Sequence, residues 1–171
     1  VDVDVPLYGG LDEMKLSNGT LAAAEKLATE CWSAQWARFS TGGTTHGNQA
    51  LLLAIATPGR KIAITRTAHR SLISALVLSG VEPIWLTPDI DEKTGIPLGI
   101  SAIELSRALE HSPTAVFLTE PSYLATLSPL KQLIDLTHEQ NIPIVIDQAW
   151  GAHFGFHPAL PAHAMALGAD A

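Results

Sequence analysis

The chain has 171 residues, enough for one domain with a sizeable core, and its net charge of −7 without a basic cluster argues against a nucleic-acid partner. Its single cysteine, Cys31, fits a reducing cytoplasm, and since no apolar run reaches the roughly 18 residues of a membrane span, we expect no membrane partner. Only 16% of the residues are charged, against roughly 25% in ordinary soluble domains, so we expect part of the surface to be buried in an oligomer or the chain to be a piece of a larger protein.

The predicted elements begin with an irregular stretch and an Ala-rich helix over residues 21–32, so residues 1–35 form an N-terminal segment. From Trp36 onward the pattern alternates between strands and helices. The predicted strands cover residues 36–41, 61–66, 81–87, 114–119 and 142–146. The predicted helices cover residues 45–56, 70–78 and 130–140, with a further helix that starts after Ser101. Strict alternation predicts βαβ units, a mostly parallel sheet and a three-layer α/β/α domain over residues 36–171.

Local signals mark where two of these helices end or begin. Gly80 is placed to cap the carboxyl end of the helix over 70–78, because glycine adopts the left-handed conformation found there. Ser101 and Glu104 have the spacing of a capping box, which predicts a helix start at Ser101. The Gly- and Pro-bearing segment Asp89–Gly99 between them is predicted to be a loop.

Asp147 stands where the buried apolar strand over 142–146 ends. The carboxyl ends of parallel strands are where open α/β sheets bind their ligands. A carboxylate there is costly unless it has a cationic or hydrogen-bonding partner, so Asp147 points to a bound cationic group. The alternative is a solvated aspartate that caps the next segment.

Two more predicted strand ends carry groups suited to a ligand. Residues 42–48 (Gly-Gly-Thr-Thr-His-Gly-Asn) lead into a helix, whose first N–H groups and positive dipole end favour a phosphate. Thr44 and Thr45 add hydroxyl donors, although the segment matches neither a P-loop nor the dinucleotide pattern. His69 follows the strand over 61–66, where a flat imidazole could stack on an aromatic ligand. The alternatives are an ordinary capped turn and a surface histidine.

Other motifs carry weaker signals. The segment 119–123 (Thr-Glu-Pro-Ser-Tyr) is typical of an ordinary turn. His153, His157 and His163 suggest zinc, but Phe, Gly and Pro break any helix that would align the first two, and we predict no metal. A Gly-x-Ser-x-Gly nucleophile motif is absent from the sequence.

Together, these segments resemble the pyridoxal-phosphate enzymes of the aspartate-aminotransferase fold, and more narrowly the major domain of the Orn/Lys/Arg decarboxylase family. Residues 43–48 are similar to that family's phosphate loop, although Gly42 replaces its Asn, and residues 69–71 match its His-Lys/Arg-Ser turn. Residues 147–154 are close to its Asp-Glu-Ala-His-Gly-Ala-His-Phe, with Trp150 in place of the commoner His. The other similar segments are residues 10–14, 120–123, 160–165 and 168–171.

The resemblance implies the large domain of a fold type I enzyme with pyridoxal 5'-phosphate as cofactor. It also implies decarboxylation of arginine, lysine or ornithine to an amine and CO2. By resemblance, Thr44, Thr45 and His46 would hold the phosphate. His69 would stack on one face of the pyridine ring, and Ala149 would pack on the other.

Two further roles concern the edge of the ring. By resemblance, Asp147 would pair with the pyridine nitrogen, and a carboxylate there would keep the ring protonated. A protonated ring is the electron sink for decarboxylation, so Asp147 and His69 are the predicted catalytic residues. The aromatic ring of Trp150 would cover the cofactor edge.

In that family, a Ser-x-His-Lys segment follows, and its lysine forms the Schiff base with the cofactor. The sequence stops at Ala171, before that point, so we expect a truncated domain that binds the cofactor weakly or not at all. The resemblance also implies a homodimer or a higher homo-oligomer, whose active site forms between two subunits. The alternatives are an aminotransferase, aldolase or lyase on the same fold, and a non-catalytic binding module.

Overall fold

The structure is a computed structural model that describes Asp12 and residues 18–171. It divides into two compact units, the first ending at Thr41 and the second spanning Gly42–Ala171. The first unit contains helix α1 (Thr20–Cys31), as the sequence predicts. The family-like segment at residues 10–14 lies outside the described residues except for Asp12. The domain boundary at residue 36 stays a prediction.

The predicted strand over 36–41 is wrong, because these residues form no regular element. The large apolar side chains that suggested a strand are exposed, Trp36 by 70% and Phe39 by 47%. The segment is held within the first unit by buried Glu25, which accepts hydrogen bonds from Arg38 Nη1 at 2.7 Å and from the backbone N–H of Phe39 at 3.3 Å. The backbone therefore pairs with a side chain rather than with a neighbouring strand.

The second unit alternates helices and strands as predicted, with small shifts at the ends. Its helices are α2 (Gly43–Ile55), α3 (Arg70–Ser79), α4 (Ala102–Leu109), α5 (Leu130–Glu139) and α6 (Ala164–Leu167), with a 3-10 turn at Ala149–Gly151. Its strands are β1 (Lys61–Thr65), β2 (Glu82–Leu86), β3 (Val116–Thr119) and β4 (Ile144–Asp147). None of the helices in the described part of the chain is long and apolar enough to cross a membrane.

The four strands form one sheet in the order β2-β1-β3-β4, and each neighbouring pair is parallel. All strands therefore end at the same side of the sheet, which we call the carboxyl edge. The chain leaves β1 toward β2 but returns to build β3 and β4 on the other side of β1. This reversal is a topological switch point, the place where open α/β sheets bind ligands.

Two apolar clusters cover the two faces of the sheet, which confirms the predicted α/β fold. Leu52 of α2 and Leu72 of α3 pack against one face, with Phe117 of β3 among their neighbours. Leu105 of α4 and Leu133 of α5 pack against the opposite face. Burying a side chain of this size contributes about 1.5–3 kcal/mol, so the two clusters hold the strand ends in place.

The predicted helix ends are confirmed with one difference. Gly80 has a left-handed φ of 68° at the end of α3, and Ser101 Oγ accepts a hydrogen bond from Glu104 N at 3.2 Å. The Glu104 carboxylate accepts from the backbone N–H of Thr87 at 2.8 Å and pairs with Arg107. Only the hydrogen bond from Glu104 N to Ser101 Oγ of the capping box is formed, because the Glu104 carboxylate binds Thr87 in the loop after β2.

Candidate functional site

Asp147 is the last residue of β4 and lies at the carboxyl edge, where it is only 5% exposed. Its Oδ2 atom accepts a hydrogen bond from Asn48 Nδ2 at 2.8 Å, and its Oδ1 atom accepts from the backbone N–H of Ala149 at 3.2 Å. Each carboxylate oxygen is therefore held by one donor. Since a carboxylate can accept about four hydrogen bonds, capacity remains for a ligand.

Thr44, Thr45 and His46 form the first turn of α2 and are exposed. Gly43, at the start of this helix, has a φ of 62°, a conformation that favours glycine. The first N–H groups of any helix lack partners within it and attract anions. The contact of Asn48 with Asp147 brings the beginning of α2 to the carboxyl edge.

His69 follows β1 and caps the amino end of α3. Its Nδ1 atom accepts a hydrogen bond from the backbone N–H of Ser71 at 3.2 Å and lies 2.9 Å from Ser71 Oγ. The imidazole is exposed while Ser71 is 2% exposed. The capping bond thus fixes one ring nitrogen and leaves the ring face accessible, as stacking on a ligand requires.

Ala149 and Trp150 belong to the short 3-10 turn that follows Asp147, and both are exposed. Next to them, Gly151 is buried in close contact, because an added Cβ would lie 2.8 Å from Pro121 Cδ and 3.0 Å from Phe154 Cδ2. The turn after β4 is therefore packed tightly against the segment after β3. This packing fixes where Ala149 stands relative to Asp147.

Thr119, at the end of β3, is a polar residue of the site to which the sequence assigned no role. It pairs with Asp147 in the parallel register, so both side chains project from the same face of the sheet. Thr119 Oγ1 is buried and has no hydrogen-bond partner among the described residues. An unpaired buried hydroxyl costs free energy, so this atom is suited to contact a polar ligand.

Glu120, the next residue, has its own environment on the opposite face of the sheet. It is 3% exposed, and its two carboxylate oxygens accept from Ser128 N at 2.8 Å and Ser128 Oγ at 2.7 Å. Burial raises the pKa of Glu120 above its ordinary value, and the bonds from Ser128 counteract part of this rise. The pair holds the loop after β3 to the sheet.

Asn48 and Ser71 are the other site residues that sequence reasoning missed. Both are buried, and Asn48 Nδ2 lies 3.1 Å from Ser71 Oγ. Both stand within motifs, at the end of residues 42–48 and of residues 69–71. The signal in the sequence is their position near a helix start on the side that faces the sheet. A polar side chain buried there needs a hydrogen-bond partner.

Two of the three histidines that suggest zinc, His157 and His163, hold turns. His157 Nδ1 accepts from Ala159 N, and His163 Nδ1 accepts from Ala166 N at the start of α6, both at 3.1 Å. Over residue 12 and residues 18–171, no three His, Cys, Asp or Glu side chains are grouped so that they could hold a metal ion. His157 and His163 therefore stabilise the backbone turns in which they lie.

Comparison with known proteins gives a family and a fold. The family model described as Orn/Lys/Arg decarboxylase, major domain, matches residues 2–171. An arginine decarboxylase of Bacillus subtilis is 36% identical over 99% of this chain and 35% of that protein. The chain thus spans about a third of the length of the Bacillus arginine decarboxylases that it matches.

Solved structures share the fold at lower identity. The constitutive lysine decarboxylase of Escherichia coli has a TM-score of 0.74 at 24% identity, over 87% of this chain and 22% of that one. The pyridoxal-5'-phosphate dependent protein YhfS of Escherichia coli has a TM-score of 0.68 at 16% identity, over 97% of this chain and 41% of that one. At these identities the likeness concerns the fold alone.

Proposed function

Because this chain belongs to the Orn/Lys/Arg decarboxylase family, we propose that the protein uses pyridoxal 5'-phosphate to decarboxylate a basic amino acid, arginine, lysine or ornithine, to an amine and CO2. The observation that carries the proposal is the buried carboxylate of Asp147 at the carboxyl edge, within a chain that matches the family along its length. The arginine decarboxylase among the relatives makes arginine the first substrate to test.

The residues of the site fit this cofactor. Asp147 offers acceptor capacity to a pyridinium N–H, Thr119 has a buried hydroxyl without a partner in the described chain, and the first turn of α2 suits a phosphate. When bound, the cofactor supplies a protonated ring that accepts the electrons left behind as CO2 departs.

Asp147 keeps the ring nitrogen protonated, because a neighbouring carboxylate favours the charged form of a base. His69 would stack on one face of the ring. Its Nδ1 atom is already engaged by Ser71, so the imidazole presents its face rather than this nitrogen. These two residues are the proposed catalytic residues of this chain.

The remaining residues bind and orient. Thr44, Thr45 and His46 hold the phosphate at the start of α2, where the helix dipole favours an anion. Ala149 would pack on the second face of the ring, since its small side chain leaves room for a flat group. Trp150, which is 64% exposed, covers the outer edge and excludes water from it.

The protein is also proposed to work in the cytoplasm as a homodimer or a higher homo-oligomer. Two adjacent large apolar side chains near the end of α3 support assembly, since Val77 and Leu78 are exposed by 80% and 68%. Exposed apolar groups of this kind are commonly covered by a partner. Light scattering of the purified protein measures its molar mass in solution, and a monodisperse monomer contradicts the proposed oligomer.

Product analysis tests the proposed activity. The protein, as its gene encodes it, is incubated with pyridoxal 5'-phosphate and carboxyl-labelled arginine, lysine or ornithine, with norleucine as the uncharged control. We expect labelled CO2 and an equal amount of amine from at least one basic amino acid and none from norleucine. A keto acid would indicate an aminotransferase, and cofactor binding without any product would indicate a binding module; either result contradicts the proposal.

A further inference from the structure

Four polar residues at the carboxyl edge form one continuous chain of contacts. Asn48 Nδ2 lies 2.8 Å from Asp147 Oδ2 and 3.1 Å from Ser71 Oγ, and Ser71 Oγ lies 2.9 Å from His69 Nδ1. Three of the four residues are buried, with exposed fractions of 5% for Asn48, 2% for Ser71 and 5% for Asp147. The chain thus joins the start of α2, the start of α3 and the end of β4.

The donors in this chain have defined directions. A carboxylate oxygen accepts, so Asn48 turns its NH2 group toward Asp147 and uses the second hydrogen for Ser71 Oγ. His69 Nδ1 accepts the backbone N–H of Ser71 and so carries no hydrogen itself, which makes Ser71 Oγ the donor in its contact with Nδ1. In the neutral ring, His69 then carries its proton on Nε2.

We propose that Asn48 is a positioning residue, whose amide fixes the Asp147 carboxylate toward the cofactor's ring nitrogen and links it through Ser71 to His69. This inference rests on the proposed function. Oδ2 of Asp147 is held by Asn48, and Oδ1 is held by Ala149 N, so two donors on different elements set the plane of the carboxylate. A group held on both sides by a packed neighbour keeps its geometry before the ligand arrives.

Removing the amide frees the carboxylate to rotate and leaves a buried acceptor without its donor. We expect the ring nitrogen to lose its proton at a lower pH in such a variant. We also expect the affinity for the cofactor to fall about tenfold, which corresponds to about 1.4 kcal/mol. The phosphate contacts at the start of α2 stay, so binding is weakened rather than abolished.

The test uses pyridoxamine 5'-phosphate with a 15N-labelled ring, which binds without forming a covalent bond to the protein. The ring 15N chemical shift reports protonation directly, and a titration gives the dissociation constant. The variants are Asn48→Leu, which keeps the volume, and Asn48→Ala, which serves if the first does not fold. Gln49→Leu, a polar-to-apolar change at the next position of α2, is the matched control. All are made in the protein as its gene encodes it.

Ser71→Ala separates the two halves of the chain of contacts, since it removes the hydroxyl but keeps the bond between Asn48 and Asp147. We expect this variant to keep the ring 15N shift and to change the 15N shifts of the His69 imidazole. Asn48→Leu or Asn48→Ala should move the midpoint of the ring titration, with Gln49→Leu unchanged. Ring 15N shifts and affinities equal to those of the unmodified protein in both Asn48 variants would overturn the positioning role.

Failure of the proposed function has a different signature. If the unmodified protein does not bind pyridoxamine 5'-phosphate, or if Asp147→Asn leaves the ring 15N shift unchanged, the assignment of the cofactor to Asp147 is wrong. If Asp147→Asn moves the shift and the Asn48 variants do not, only the role of Asn48 is wrong.

Discussion

Ser128 donates two hydrogen bonds to buried Glu120, one from its backbone N–H to Oε1 at 2.8 Å and one from its Oγ to Oε2 at 2.7 Å. Burial nevertheless dominates and raises the pKa of the Glu120 carboxyl. The folded state therefore binds this proton more tightly than the unfolded state does. The resulting stability is fully present below the ordinary glutamate pKa and is lost as the pH rises through the raised one.

Glu120→Gln removes this titration. We predict that the free energy of unfolding of the unmodified protein falls relative to Glu120→Gln as the pH rises from about 4 to 7. Glu104→Gln is a control of opposite sign, because the hydrogen bond from Arg107 lowers the pKa of Glu104. Its contribution is present above the ordinary pKa and is lost as the pH falls. Urea unfolding over a pH series measures the free energy of unfolding of both variants. If this free energy depends on pH in the same way in Glu120→Gln and in the unmodified protein, the raised pKa of Glu120 is contradicted.

Gly151→Ala tests the close packing after β4. An added Cβ would approach Pro121 Cδ to 2.8 Å and Gln148 Cγ to 2.9 Å, so we expect a loss of about 1–3 kcal/mol in the free energy of unfolding. Gly47→Ala in α2 is the control, since its Cβ meets nothing within 4 Å and alanine favours a helix by about 1 kcal/mol. Thermal and urea unfolding measure the stability of both variants, and equal stabilities would rule out the tight contact at Gly151.

Thr119→Val tests the unpaired hydroxyl beside Asp147. Removing a buried hydroxyl without a partner should stabilise the ligand-free protein by about 1 kcal/mol, because the desolvation cost disappears. We expect the same variant to bind pyridoxamine 5'-phosphate more weakly. Thr65→Val is the matched control, as Thr65 Oγ1 also lacks a described partner but projects from the opposite face of the sheet. Calorimetry should show equal stabilisation by both variants and weaker binding in Thr119→Val alone; weaker binding in both would contradict the placement of Thr119.

Asp147→Asn should separate activity from folding. The amide oxygen can still accept from Asn48 Nδ2, but the NH2 group then faces the backbone N–H of Ala149 and that bond is lost, so we expect the free energy of unfolding to fall by only about 1 kcal/mol. Without the carboxylate the ring nitrogen loses its ionic partner, and we expect turnover to fall about a hundredfold or more. Asp135→Asn on the exposed face of α5, where Asp135 pairs with Lys131, should keep full activity. Near-normal turnover of Asp147→Asn would show that the carboxylate has another role.

Periodicity and caps predict most of the second unit because β1, β3 and β4 are largely buried and its helices have one apolar side. The segment over 36–41 was mispredicted for a physical reason, since its aromatic residues face solvent and its backbone bonds to Glu25. The contact between Asn48 and Asp147 joins residues 99 positions apart. Neither residue type nor local spacing encodes such a pairing, so only the folded chain reveals it.

The most direct measurement is a crystal structure of the protein with pyridoxamine 5'-phosphate bound. We expect the ring nitrogen within about 2.7–3.2 Å of an Asp147 carboxylate oxygen, the phosphate at the first turn of α2 and the His69 ring against one face. A ligand bound elsewhere, or a ring nitrogen turned away from Asp147, would contradict the claim that this carboxyl edge is the cofactor site.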